Sequence, residues 1–151
     1  MTFDPNNPIV QLCAQGMSLE GEGKRQEAAE IFQQAWNIAS DDVEKCVAAH
    51  YVARHQNSIA DKLQWDELAL QLAMNVKDDG SIKGIYPSLH LNIAKGYEDL
   101  HDFREAQKHY ELALHCNSFL LDDGYGRMIQ QGVTAGLERI QKKTMAGQNP
   151  M

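Results

Sequence analysis

The chain is 151 residues long, carries a formal net charge of −7, and is 43% apolar and 23% charged. A chain of this size suits one domain burying roughly two-thirds of its unfolded surface, and its apolar fraction excludes a largely disordered chain. A mean hydropathy of −0.48 with no long apolar run excludes a membrane-spanning helix, the acidic balance argues against non-specific nucleic-acid binding, and Met1-Thr2-Phe3-Asp4-Pro5 lacks the basic start and apolar stretch of a signal peptide.

Proline is confined to Pro5, Pro8, Pro87 and Pro150. Because proline ends or kinks helices, the two long stretches between these positions permit helix almost throughout, and their Ala, Leu, Gln, Glu and Lys content favours it. Asn7 before Pro8 reads as a cap with proline at the first helical position. It opens a helix near 8–21 whose stripe is Ile9, Leu12, Gly16 and Leu19. Gly21-Glu22-Gly23 links it to a second helix near 25–38, with the stripe Ala28, Ile31, Phe32 and Ala35. Asp41-x-x-Glu44 resembles a capping box for 41–57, and Ser58-x-x-Asp61 a weaker one for 59–77. Tyr86-Pro87, after the glycines Gly80 and Gly84, starts 86–100, Asp102-x-x-Glu105 caps 103–117, and Asp122-Asp123 precede the periodic stretch of a last helix near 122–143. Ala106, Tyr110, Ala113 and Leu114 stripe the sixth helix, and Val133, Leu137 and Ile140 the seventh.

The chain repeats itself. From Leu12 it reads Leu12-x-x-Gln15-Gly16-x-x-Leu19, then Ala28-x-x-x-Phe32-x-x-Ala35, then Ser40. From His90 it reads His90-x-x-Ile93-Ala94-x-x-Tyr97, then Ala106-x-x-x-Tyr110-x-x-Ala113, then Ser118, with identical internal spacings. Small residues at Gly16, Ala28, Ala94 and Ala106 allow two antiparallel helices to approach, and Leu19, Phe32, Tyr97 and Tyr110 fill the spaces beside them. Both copies resemble the tetratricopeptide repeat. A divergent middle unit lies between them, with His50 to Asn57 on its first helix and Trp65, Leu68, Leu72 and Val76 on its second. Gln56 stands where the family places a small residue, and Ser40 and Ser118 stand where it usually places proline.

The resemblance implies an all-α right-handed superhelix of three antiparallel helix pairs plus a C-terminal capping helix. The expected division is a lead-in over 1–8, one repeat domain over 9–143 with units at about 9–40, 41–80 and 84–118 and a cap at 122–143, and a flexible tail over 144–151. In such a stack the first helix of each pair lines a concave groove. His50, Arg54 and Asn57, at i, i+4 and i+7, would share one face of that groove. Asn92 and Lys95 would enter it from the third unit, and Cys13, Ala14 and Met17 would form its apolar end. Arginine and amides suit peptide backbone and carboxylate recognition. One branch of the family holds the C-terminal carboxylate of chaperones with a Lys/Asn/Asn/Lys/Arg clamp. Cys13, Met17, Arg54, His50 or Ser88, and Asn92 occupy those positions here, so chaperone binding does not carry over.

His55 and His90 occupy slots that the repeat usually gives to large apolar residues. A buried imidazole needs a hydrogen-bond partner, which Tyr51, Tyr86, Asn92 or Gln56 could supply, so that His55 and His90 either hold two helices in register or form a polar pocket with Tyr51 and Tyr86. Among the six histidines, His50 and His55 are five apart and point apart by roughly 140°, unlike the i,i+3 or i,i+4 spacing of metal ligands on one helix. Cys13, Cys46 and Cys116 form no C-x-x-C pair and read as small hydrophobes in a reducing compartment. No nucleotide, hydrolase, metalloprotease or calcium-loop signature is present. The expectation is a cytoplasmic, non-catalytic module that binds a protein or peptide segment in its groove and uses no cofactor or metal. The rival reading is a pocket for a small anionic ligand around His50, Arg54, His55, His90 and Asn92. Self-association through the groove or the final helix is a third.

Overall fold

The computed structural model describes residues 4–77 and 82–148. Among these residues the fold is all-helical: α1 (Pro8–Gly21), α2 (Arg25–Ile38), α3 (Asp42–Ala53), α4 (Ile59–Asn75), α5 (Tyr86–Asp99), α6 (Phe103–His115) and α7 (Gly124–Gln148), with short 3-10 turns at Lys83–Ile85 and Asn117–Phe119. No helix is long and apolar enough to cross a membrane among the described residues.

The expected caps are made. Asn7 Oδ1 accepts from the Ile9 amide at 2.8 Å, Asp41 Oδ1 from Glu44 at 2.8 Å, Ser58 Oγ from Asp61 at 3.0 Å and Asp102 Oδ1 from Glu105 at 3.2 Å. The Glu44 carboxylate completes its capping box one residue early, accepting from both the amide and the hydroxyl of Ser40 at 2.9 Å. These bonds hold Glu44 below its ordinary pKa.

Two helix ends differ from the sequence reading. α3 stops at Ala53 rather than near residue 57. The backbone N–H groups of Arg54, His55 and Gln56 turn to carbonyls three residues back, and the Gln56 side-chain Nε2 donates to the Val52 carbonyl at 3.1 Å. Ser58, at φ −129°, must be extended to cap α4. α7 runs on to Gln148, so the part of the expected tail up to that residue is helical; residues 149–151 lie outside the described residues.

The chain forms two compact units, Met1–Ile82 and Lys83–Met151. Their boundary falls between the second and third repeat units expected from the sequence. In the first unit α1 pairs with α2 and α3 with α4, while α3 also packs on α1 and α2. Its core gathers Ile9, Cys13, Ala28, Phe32, Ala35, Val47, Ala48 and Val52. In the second unit α5 pairs with α6, and α7 lies against both. Ala94, Ala106, Tyr110 and Ile140 form one cluster, and Ala113, Ile129 and Val133 another.

The hairpins α1–α2 and α5–α6 match at a constant offset up to their last end, where α6 stops one residue sooner than α2. Pro8 and Tyr86, Gly21 and Asp99, and Arg25 and Phe103 are paired boundaries. Both links close with the same bonds: Lys24 N to Leu19 O and Asp102 N to Tyr97 O at 2.9 Å, and Gly23 N to Glu20 O and His101 N to Glu98 O at 3.0 Å. Both pass through a left-handed residue, Gly23 at φ 78° and His101 at φ 64°.

Each hairpin is also joined to the helix that follows it. On α2, Phe32 sits against Gly16 of α1, where a Cβ would overlap its ring, and stacks on Tyr51 and His55 after α2, with centroids 5.0 and 5.5 Å away. On α6, Tyr110 sits against Gly136 of α7, where a Cβ would likewise overlap. A carboxylate in the same slot of each first helix completes the joint. Glu20 meets Arg54 at 3.1 Å and His55 at 2.7 Å. Glu98 accepts from Arg139 at 2.9 and 3.1 Å, from Lys143 at 3.0 Å and from the Tyr110 hydroxyl at 2.6 Å. Arg139 and Lys143 bring their charged ends to Glu98 while their side chains stay 42% and 41% exposed, and Glu138 and Lys142 are exposed.

Burial would push Glu98 upward. The bonds from Arg139, Tyr110 and Lys143, with the Arg139 charge, outweigh it and bring the carboxyl down to about 2 from 4.5. Its contribution to stability is complete above pH 4.5 and is lost as pH falls toward 2. Glu98→Gln is expected to cost about 1–3 kcal/mol at pH 7, a gap that closes across that acid range in thermal melts. Gly136→Ala forces a methyl into the Tyr110 ring and is expected to cost about 1–3 kcal/mol. His101→Gly relieves the left-handed backbone and is expected to add about 1 kcal/mol; denaturant titration of the two variants checks both signs.

Candidate functional site

Contacts between α1 and α3 advance together along both helices. Asn7, just before α1, donates to Glu44 at 2.9 Å, the Tyr51 hydroxyl reaches the Met17 sulfur at 3.4 Å, and Glu20 pairs with Arg54 at 3.1 Å. Partners that increase in step place the two first helices side by side and parallel. Along their seam lie the exposed Ala14 and Met17, the half-buried Tyr51 ring and the exposed Arg54. At the amino end, Ile9, Val10, Val43 and Val47 wall a notch of about 100 Å³ rimmed by Asp41 and Glu44.

The predicted cationic middle of the groove is built differently. Arg54 caps the end of α3, its guanidinium lies 5.6 Å from the Tyr51 ring centroid, and one of its nitrogens is spent on Glu20. Asn57 lies beyond α3 and is exposed, so it does not continue the His50 and Arg54 face. His50 is half-buried and its inner Nδ1 finds no hydrogen-bond partner. Burial, then the charges of Arg54 and Lys62, lower its pKa to about 4, so the ring is neutral at neutral pH. Cys13 belongs to the core rather than the groove: it is 3% exposed, and burial drives its thiol up to about 12.

His55 finds its partner on another helix, in Glu20, rather than in Tyr51 or Gln56. Its Nδ1 is buried without a hydrogen-bond partner. A further anion here would meet the Glu20 carboxylate already lying between Arg54 and His55.

In the second unit, Asn92 is half-buried on α5, and the exposed Lys95 pairs with Asp99 one turn on. His90 is buried, with Tyr86 stacked beside it at 6.3 Å, but its polar partner is His109 of α6, Nδ1 to Nδ1 at 3.1 Å. His109 also stacks on Tyr97 at 5.8 Å. Burial and then His109 lower the pKa of His90 to about 4. Of the five residues of the anionic-pocket reading, His50, Arg54 and His55 belong to the first unit, and His90 and Asn92 to the second.

Sequence reasoning missed Glu20, Glu98 and His109. The first two carried a signal, since a glutamate directly follows the matched Leu19 and Tyr97 in both copies. His109 had no such signal, because Ile31 holds the equivalent slot of the first copy.

Because His50 and His90 take up protons near pH 4 when folded and near 6.5 when unfolded, they favour folding above 6.5 and withdraw that support as pH falls toward 4. The melting temperature is expected to decline over this interval, and less steeply in His90→Leu, which copies Leu12 of the first hairpin. A melting temperature constant from pH 7 to 4.5 would contradict this assignment.

No family model, curated protein or solved structure matches the chain.

Proposed function

We propose that the chain is a tetratricopeptide-like repeat module, its helical pairs stacked as a right-handed superhelix with α7 as the cap. It would bind an extended peptide or protein segment in the cytoplasm, without catalysis, cofactor or metal. The observation that carries this reading is the parallel α1–α3 seam, which leaves Met17, Tyr51 and Arg54 along one face of the first unit. The match between α1–α2 and α5–α6, offset by 78 residues and extending to the closing backbone bonds, supports the repeat.

The seam favours a peptide over a small anion. Glu20 already neutralises Arg54 and takes the Nε2 of His55, the groups that an anion would need. The remaining guanidinium hydrogens of Arg54, held over the Tyr51 ring, suit backbone carbonyls. Met17 is an adaptable thioether for apolar side chains. His50, Asn57, Asn92 and Lys95 stay in the proposal as flanking contacts. His55, His90 and Tyr86 enter it as packing residues.

The test is selection from a displayed library of random dodecapeptides on the purified chain, followed by titration of the selected peptides. Met17→Arg, which crowds the seam, is expected to weaken binding at least tenfold. Arg54→Lys is expected to weaken it about three- to tenfold, with the melting temperature within about 2 °C of wild type because an exposed pair contributes little. Selected peptides indifferent to both substitutions would place binding away from this seam.

A further inference from the structure

α7 turns one face inward and leaves the opposite face bare. Ile129, Val133, Gly136 and Ile140 are buried, while Arg127, Gln130, Gln131, Thr134, Ala135 and Glu138 line a shallow trough of about 540 Å³. At 100° per residue these six side chains fall within an arc of about 140°. Five of them are exposed and Ala135 is half-buried. Only one cation and one anion are present, one at each end, with amides, a hydroxyl and a methyl between them.

The positions are symmetric about a point between Gly132 and Val133. Residue 127 mirrors 138, 130 mirrors 135 and 131 mirrors 134. Set antiparallel against a copy of itself, the face is complementary: Arg127 of each copy meets Glu138 of the other, Gln131 meets Thr134, and the small Ala135 leaves room for Gln130. We propose that α7 is a homodimerisation helix, the second copy of this chain lying antiparallel along this face with the two-fold axis near residues 132 and 133.

Two-fold pairing makes every contact occur twice, so four charged groups form two ion pairs and none is left facing its own sign. Arg127 already touches Asp122 at 3.1 Å, but both side chains are largely exposed. Such a pair is weak and exchangeable. Beyond the trough, Met145 is 60% exposed near one end of the helix and Leu121 is 67% exposed just before the other. The antiparallel arrangement brings these two apolar side chains to the same end from opposite copies. A contact one helix wide and largely polar is small, so the dimer forms at protein concentrations on the order of 10–100 μM.

Sedimentation equilibrium of the full chain from about 10 μM to 1 mM tests this, at the concentrations such an interface requires. Wild type is expected to pass from monomer to dimer. Arg127→Glu and Glu138→Arg, each alone, place like charges together twice and are expected to weaken association at least tenfold. The double variant Arg127→Glu/Glu138→Arg restores both pairs and is expected to return to within about threefold of wild type. Mixing the two single variants provides a stricter check, because the all-acidic face of one fits the all-basic face of the other: the mixture is expected to form a heterodimer tighter than either homodimer. A wild-type chain that stays monomeric to 1 mM overturns the proposal. So does a dimer unaffected by either single reversal, or a mixture that fails to associate.

Discussion

Each outer hairpin is completed by the helix that follows it, and the joint is an aromatic ring of the hairpin packed on that helix, beside a carboxylate that is tied to donors carried on it or just after it. Phe32 on Tyr51 and His55 with Glu20, and Tyr110 on α7 with Glu98, are two versions of one device, although the glycine under Phe32, Gly16, lies in the hairpin itself and the one under Tyr110, Gly136, lies in α7. The ring removes apolar area from water, and only glycine lets it approach so closely. The carboxylate then decides which residues the next helix must carry. An acid desolvated at that depth is tolerable only with donors on it, and α3 with its following turn supplies Arg54 and His55, as α7 supplies Arg139 and Lys143.

The two versions differ in how far water reaches the carboxylate. Glu98 is 3% exposed and fully enclosed by donors, so its joint is structural. Glu20 is 18% exposed, and its Arg54 partner is 45% exposed. The first joint therefore opens onto the α1–α3 seam, where part of the guanidinium remains available beside Tyr51 and Met17. The same repeat position serves as packing in one unit and borders a surface in the other, because Phe32 lacks the hydroxyl with which Tyr110 closes over its carboxylate.

Most helix ends were legible in the sequence because they are set by local chemistry: Asn7 with Pro8, Asp41 with Glu44, and Asp102 with Glu105 make bonds within three residues. The repeat was legible for a related reason, since close helix crossings demand small residues at fixed spacing. Contacts between distant elements were not. Glu20 and Arg54 are 34 positions apart and are of types that any solvated helix carries. Their meeting depends on α1 and α3 lying parallel, which no local spacing encodes. The end of α3 was misjudged because Gln56 and Asn57 continue a helical pattern while Ser58 claims the next cap. His101 shows a third limit, a left-handed turn hidden by an unexpected residue, though its register with Gly23 marks it once the hairpins are aligned.

The placement of Glu98 has a consequence for how the second unit comes apart. Were α7 to lift away, the carboxylate would lose the Arg139 and Lys143 donors that make its burial tolerable, and only the Tyr110 hydroxyl would remain. A partly detached α7 is thus a high-energy species: either the helix sits fully down, or water reaches the end of α5 and the α5–α6 crossing loosens with it. Slow amide exchange in α7 and at the C-terminal turn of α5 would then report one opening event, and the last helix, which elsewhere in proteins commonly frays, behaves as an integral part of the cooperative unit it closes.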